Sequence, residues 1–307
     1  MLSRYTHRDL TWIDLQSPTP AEVRQIMSEF EIHPLIGEEL LTPSLKPKVD
    51  RYDNCIYLIL HFPFYGKSYD KSDSAPSQEI DFILGTNFII TTRYETLDPF
   101  LKFSRVFETN SLLNREPLGN HAGFIFFYML RNLYRALEHE LEDLSLGLSK
   151  IENNIFDGHE QEMVVSLSRM SRVFLNFKQA LAPHKHVLES LESAGVRFYG
   201  QDFVYHLRSI SGDYFRVAAE LDSHKDALLE LRETNNSLLT TKQNEIIKVL
   251  TIMTFFTAPL TLIAGVFGMN TTYTPIVGLS LGFWYLIGVL VLTGIALYAY
   301  FKVKHWL

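Results

Sequence analysis

A chain of 307 residues, 47% of them hydrophobic and 21% charged, suits one large domain or two smaller ones and is too apolar to be disordered. Its net charge of −7 argues against a nucleic-acid-binding protein, which needs a clustered basic face, and is compatible with gathering cations. The single cysteine, Cys55, excludes an intrachain disulfide and points to a reducing compartment.

The opening "MLSRYTHRDLTW" has no apolar h-region, so no cleavable signal peptide is expected there. Residues 1–120 mix strands with short helices and predict an α+β domain, a mixed sheet covered by helices. "TWIDLQ" begins a strand. In "SPTPAEVRQIMSEF", Thr19 caps a helix, Pro20 takes its first position, and Glu22 completes a T-x-x-E capping box. Two β-rich runs, "KVDRYDNCIYLILHFPFY" and "EIDFILGTNFIITTRY", flank a polar loop at residues 70–77 and predict an antiparallel connection.

Residues 121–200 read as an acidic helical hairpin. "FIFFYMLRNLYRALEHELEDLSLGLSKIENNIF" keeps a 3.6-residue period without proline. A second helix runs from residue 160 to about 193, with a bend at Pro183. Between Glu138 and Glu162 stand eight acids and one lysine, Lys150: either a solvated helix face or a surface that concentrates cations. His184 and His186 fall about 200° apart on a helix, too divergent to share a metal, and are expected in solvent.

Residues 201–248 read as a stalk. The pattern starts near Phe203 and meets no proline before Pro259, which makes a helix on the order of 90 Å long. Such a helix must hide its apolar stripe against others of its kind, so a homo-oligomer is expected.

Residues 249–307 read as a two-helix transmembrane pore domain. From Val249 through Phe301 there is no Asp, Glu, Lys or Arg, enough for two spans in the lipid bilayer, residues 249–267 and 283–301. Lys242 and Lys248 precede the first; Lys302, Lys304 and His305 follow the second; the connection is uncharged. The positive-inside rule then places both termini in the cytoplasm of a multi-pass protein of the inner (plasma) membrane. Trp284 and Tyr285 fall near the outer interface, Tyr298, Tyr300 and Trp306 near the inner one.

Steps of three and four along the first span give Asn244, Ile247, Leu250, Thr254, Ala258, Thr261, Gly265 and Gly268. Small residues and threonine on one line serve either as packing glue between membrane helices or as the wall of a narrow, weakly polar pore. The long stalk and the polar Asn244 beneath the line favour the pore. The span ends in Gly268, Met269 and Asn270, then four hydroxyl residues. An uncharged mouth cannot strip a divalent ion, but Mg2+ dehydrates reluctantly and can be held through its water by amide and carbonyl oxygens. A carboxylate would hold it too tightly for release. No dinucleotide, P-loop, zincin or nucleophile-elbow motif occurs, so no enzyme is expected.

"NEIIKVLTIMTFFTAPLTLIAGVFGMN", followed by a second span and "YFKVKHWL", resembles the CorA family of magnesium transporters. "KPKVDRYDNCIYLILHFP" and "TWIDLQSPTPAEV" extend the resemblance over the whole chain. It implies a funnel-shaped homopentamer that passes divalent cations, with Gly268, Met269 and Asn270 as selectivity ring. Asn244, Ile247, Leu250, Thr254, Ala258, Thr261 and Gly265 would line the pore, with Ile247 and Leu250 as a hydrophobic gate. It further implies that Mg2+, the transported ion, also closes the gate from sites between cytoplasmic domains. Two departures stand out. The outer loop "TTYTPIVGLSLG" carries no acid, and residues 205–209, where the family's stalk aspartate falls, carry none either. Asp202 and Asp213 lie close by, and Asp70 or Asp73 could partner them. A zinc transporter of the same superfamily is the alternative, against which Met269 and the lack of nitrogen or sulfur ligands speak. A membrane-anchored helical scaffold without transport is a further one.

Overall fold

The computed structural model describes residues 1–44, 46–63, 77–94, 98–112, 119–269 and 281–304. Two compact units share the chain, residues 1–232 and 233–307. The first holds a six-stranded sheet built from β1 (Leu2–His7), β2 (Leu10–Gln16), β3 (Lys48–Arg51), β4 (Ile56–Phe62), β5 (Gln78–Leu84) and β6 (Phe88–Arg93). Its order is β1-β2-β6-β5-β4-β3. Only β2 and β6 pair in parallel; every other neighbour is antiparallel. The sheet is mixed, as expected.

Helices cover both faces, which explains why β4 reads as an unbroken apolar run: it is buried at every position. On one face α1 (Pro20–Phe30) and α2 (Pro34–Glu39) bring Val23, Ile26 and Ile36 onto Ile13, Leu15, Tyr57 and Ile59. On the other, Trp12 meets Phe103 and Phe107 of α3 (Asp98–Leu112), and Phe82 meets Phe126 of α4 (Gly123–Phe156). The Thr19–Glu22 capping box of α1 forms as the sequence requires. Of the two β-rich runs, the first is itself a hairpin: Tyr52 donates its amide to the Cys55 carbonyl at 2.8 Å, and β3 folds back on β4. β4 and β5 pair antiparallel across the polar loop.

In α4, Leu130, Leu133, Leu137, Leu141, Leu144, Leu148, Ile151 and Ile155 are buried at steps of three and four, a seam close to coiled-coil spacing with one extra step of four at Leu141. The return segment breaks at Pro183 into α5 (Glu160–Leu181) and α6 (His184–Tyr199). That break restarts the helical phase and overturns the expectation for His184. It lies fully buried, with Nδ1 2.9 Å from the Tyr134 hydroxyl and Nε2 2.8 Å from the His61 carbonyl. Since a carbonyl only accepts, Nε2 carries the proton and Tyr134 donates to Nδ1. His186 remains in solvent.

A short 3-10 turn, Gln201–Phe203, leads into α7 (Val204–Phe267), 64 residues that pass through Pro259 without a break. In the first unit its buried seam is Leu207, Ile210, Tyr214, Val217, Leu221, Leu228 and Leu231, a heptad spacing. In the second unit, α7 is joined by α8 (Gly282–Val303). Among the described residues these are the two helices long and apolar enough to cross a membrane.

Candidate functional site

The rings of Phe255 and Phe256 both lie 6.4 Å from that of Phe301, which is buried between the helices. Those two residues sit at about +100° and +200° from Thr254 on a helix advancing 100° per residue, so α8 lies roughly 150° round from Thr254. Ile247, Leu250, Ala258, Thr261, Gly265 and Gly268 all fall within about 40° of Thr254 by the same count. The stripe therefore faces away from α8. Every member, Asn244 included, is exposed within the chain. It is not the glue of this hairpin.

The threonine hydroxyls on this side are already committed. Thr254 donates to the Leu250 carbonyl at 2.9 Å and Thr261 to that of Thr257 at 2.8 Å. Thr251 and Thr257, about 60° to either side of Thr254, donate to Ile247 and Met253 at 2.7 and 2.9 Å. Each hydroxyl has one hydrogen to give. With it spent on the helix, what these oxygens present outward is lone pairs. Thr251 and Thr257 were not part of the stripe read from steps of three and four; a wider arc on the helical wheel would have included them.

At the C-terminal end of α7, the Gly268 amide closes the last helical bond, to Ala264 at 2.9 Å, and Met269 donates to Val266 at 3.4 Å. A Cβ at Gly268 would stand 3.0 Å from the Ala264 carbonyl, tighter than side chains tolerate without a shift. Met269 is exposed. Asn270 lies outside the described residues.

Of the proposed regulatory acids, Asp70 and Asp73 also lie outside the described residues. Asp202 is exposed in the 3-10 turn. Asp213 is buried and engaged: Arg131 Nε donates to one oxygen at 2.9 Å and Arg216 to the other at 3.0 Å. Among the described residues no group of three or more His, Cys, Asp or Glu is placed to hold a metal ion. Part of the acidic helix is likewise paired, Glu138 with Arg216 at 3.1 Å. Glu140 is half-buried, and burial, then the Asp143 charge, raise its carboxyl to about 7.

The sequence profile of the CorA-like Mg2+ transporter protein family matches residues 7–303. The chain belongs to this family. It is 25% identical to the cobalt/magnesium transport protein CorA of Thermotoga maritima over 298 residues, 97% of this chain and 83% of that one. It is 24% identical to the magnesium transport protein CorA of Campylobacter jejuni, covering 98% and 92%. The complete CorA magnesium transporter structure from Methanocaldococcus jannaschii superposes with a TM-score of 0.84 at 18% identity, covering 97% and 92%. Full-length CmaX gives 0.73 at 16% identity, covering 97% and 88%. The family member is thus a membrane transporter of divalent cations, not an enzyme, and its mixed sheet, long helix and apolar C-terminal pair are the CorA fold.

Proposed function

We propose that this protein is a passive Mg2+ channel in which several copies, five by resemblance, set their α7 stripes around a common axis. The observation that carries the reading is the row of committed threonine hydroxyls on the face of α7 turned away from α8. Water bound to a cation points its hydrogens outward, so a wall that offers only lone pairs accepts the hydrated ion whole. Mg2+, which keeps its water most stubbornly, is the ion such a wall suits. Gly268, Met269 and Asn270 form the outer mouth, where the Asn270 amide oxygens take the same hydrogens first. Ile247 and Leu250, the widest apolar residues on the stripe, form a constriction that closes by drying out.

In this reading the assembly is a funnel in the inner membrane with both termini in the cytoplasm, and the membrane potential draws the ion inward. At about 2.3 kcal/mol per charge per 100 mV, acting twice on a divalent ion, no coupled energy source is needed. Cobalt or nickel, similar in size, would pass less readily. A zinc function lacks support in the wall, since no residue of the stripe is a nitrogen, sulfur or carboxylate ligand. Feedback by intracellular Mg2+ needs acids other than Asp213, whose oxygens the arginines occupy; Asp70, Asp73 and Asp202 remain its candidates.

The test is uptake into proteoliposomes under a negative-inside potential, Mg2+ against Zn2+, for the wild type and Asn270→Ala. Mg2+ flux lost with the asparagine supports the pore. Zn2+ flux with little Mg2+ moves the protein to the zinc branch, and a well-folded oligomer that passes neither ion leaves a scaffold.

A further inference from the structure

Helix α8 carries a groove on the side turned away from α7. It has a volume of about 540 Å³, and its lining includes Leu281, Trp284, Tyr285, Gly288, Leu292 and Thr293. Counting 100° per residue from Gly288, these positions fall between about −40° and about 140°, while Phe301, the contact with α7, falls at about 220°. The groove is therefore no part of the packing within the hairpin. Gly288 forms its floor, where a Cβ would meet nothing within 4 Å.

Length and chemistry select an occupant. From Leu281 to Thr293 the groove runs roughly 18 Å at about 1.5 Å per residue, close to the roughly 15 Å of a single leaflet, half of the hydrocarbon core. It begins where α8 begins and stops part-way along a helix of 22 residues. A neighbouring helix would use this face over its whole height; an acyl chain would use one leaflet of it. Side chains on a helix lean towards its N-terminus, so the indole N–H of Trp284 and the hydroxyl of Tyr285 lie towards the end where a membrane surface is met. There they can donate to the ester or phosphate oxygens of a headgroup. At the deep end no side-chain hydrogen is left to give, because the Thr293 hydroxyl is spent on the Val289 carbonyl at 2.8 Å. An extended peptide would find no partners for its backbone there.

We propose that the groove binds one acyl chain of a phospholipid from the leaflet at the N-terminal end of α8, firmly enough to stay when the bulk bilayer is removed. Binding of this kind requires α8 to cross the bilayer and is independent of the ion that passes.

The full-length protein is reconstituted with palmitoyl-oleoyl phosphatidylglycerol and extracted in dodecyl maltoside, and the phospholipid it retains is counted per protomer by native mass spectrometry. Gly288→Leu puts bulk into the floor of the groove. Ala296→Leu adds bulk to the same face, at about 80° by the same count, but beyond the groove. The wild type and Ala296→Leu are expected to retain phospholipid alike, and Gly288→Leu to retain about tenfold less, the scale of a steric change in an apolar pocket. Equal retention by all three, or none by the wild type, overturns the proposal. So does loss of the oligomer in both leucine variants with lipid unchanged, which would make the face a contact between copies. Should Gly288→Leu fail to fold, the wild type decides. The same lipid with a brominated oleoyl chain, carried through the extraction, must quench the part of the fluorescence that Trp284→Phe removes, and unquenched emission overturns the proposal.

Discussion

Arg131 and Asp213 are separated by 82 residues, yet Arg131 Nε donates to Asp213 Oδ2 at 2.9 Å and so fastens α4 to α7. The carboxylate is buried and its second oxygen is held by Arg216, whose own guanidinium reaches on to Glu138 of α4. Replacing Arg131 with alanine leaves a buried charge with one partner instead of two. The expected cost is about 1–2 kcal/mol, the range for a hydrogen bond to a charged group with one end partly in solvent. A lower urea midpoint with flux unchanged at low denaturant checks it.

The threonine row makes a sharper prediction. Thr254→Val and Thr261→Val keep the shape of the side chain and the helix but remove the outward lone pairs. With one hydrogen bond worth about 1 kcal/mol, each substitution is expected to lower Mg2+ flux by about fivefold, with assembly intact by size-exclusion chromatography. If the double variant conducts like the wild type, hydration is not read by these oxygens.

His184 makes stability depend on pH on the acid side. Burial lowers its ring to about 4, from 6.5, outweighing the opposite effect of the His61 carbonyl. Between those values the unfolded chain binds a proton that the folded chain refuses. Stability from this residue is therefore complete above pH 6.5 and lost as the pH falls towards 4, by up to roughly 3 kcal/mol. Urea midpoints at pH 7 and pH 4.5 should converge in His184→Gln relative to the wild type, and His121, lowered to about 4 by burial and then by His206, accounts for part of the slope that remains.

Phe301 is the ring on which the membrane hairpin closes. Phe301→Ala removes its contacts with Phe255 and Phe256 and should weaken the hairpin by about 1 kcal/mol, the scale of an aromatic pair. Earlier loss of the folded oligomer on titration with sodium dodecyl sulfate is the readout.

What the sequence disclosed was whatever depends on neighbours along the chain. A charge-free run marks α8 and the end of α7, and Thr19, Pro20 and Glu22 mark the start of α1, because both signals are complete within a short window. Steps of three and four picked out the stripe without knowing where α8 would lie. What stayed hidden were contacts made at a distance. His184 read as a solvent residue because its burial depends on Tyr134 and on the carbonyl of His61, 123 residues earlier. Asp213 read as free to bind an ion because nothing near it in sequence shows that Arg131 arrives from α4. The hairpin inside the first β-rich run was missed for a smaller reason: its turn, at Asp53 and Asn54, is only two residues wide and holds neither glycine nor proline.

The threonines of the stripe carry no charge at any physiological pH, and from Val249 through Phe301 there is no Asp, Glu, His, Cys, Lys or Arg. The only ionisable side chains from Val249 through Phe301 are tyrosines, and none of them belongs to the stripe. If the stripe is the wall of a pore, as proposed, that wall is blind to acidity, carrying the same charge in an acidified cell as in an alkaline one. Any rise or fall of flux with pH must be imposed from outside the spans, and a variant that abolishes it there should leave the open pore's selectivity untouched.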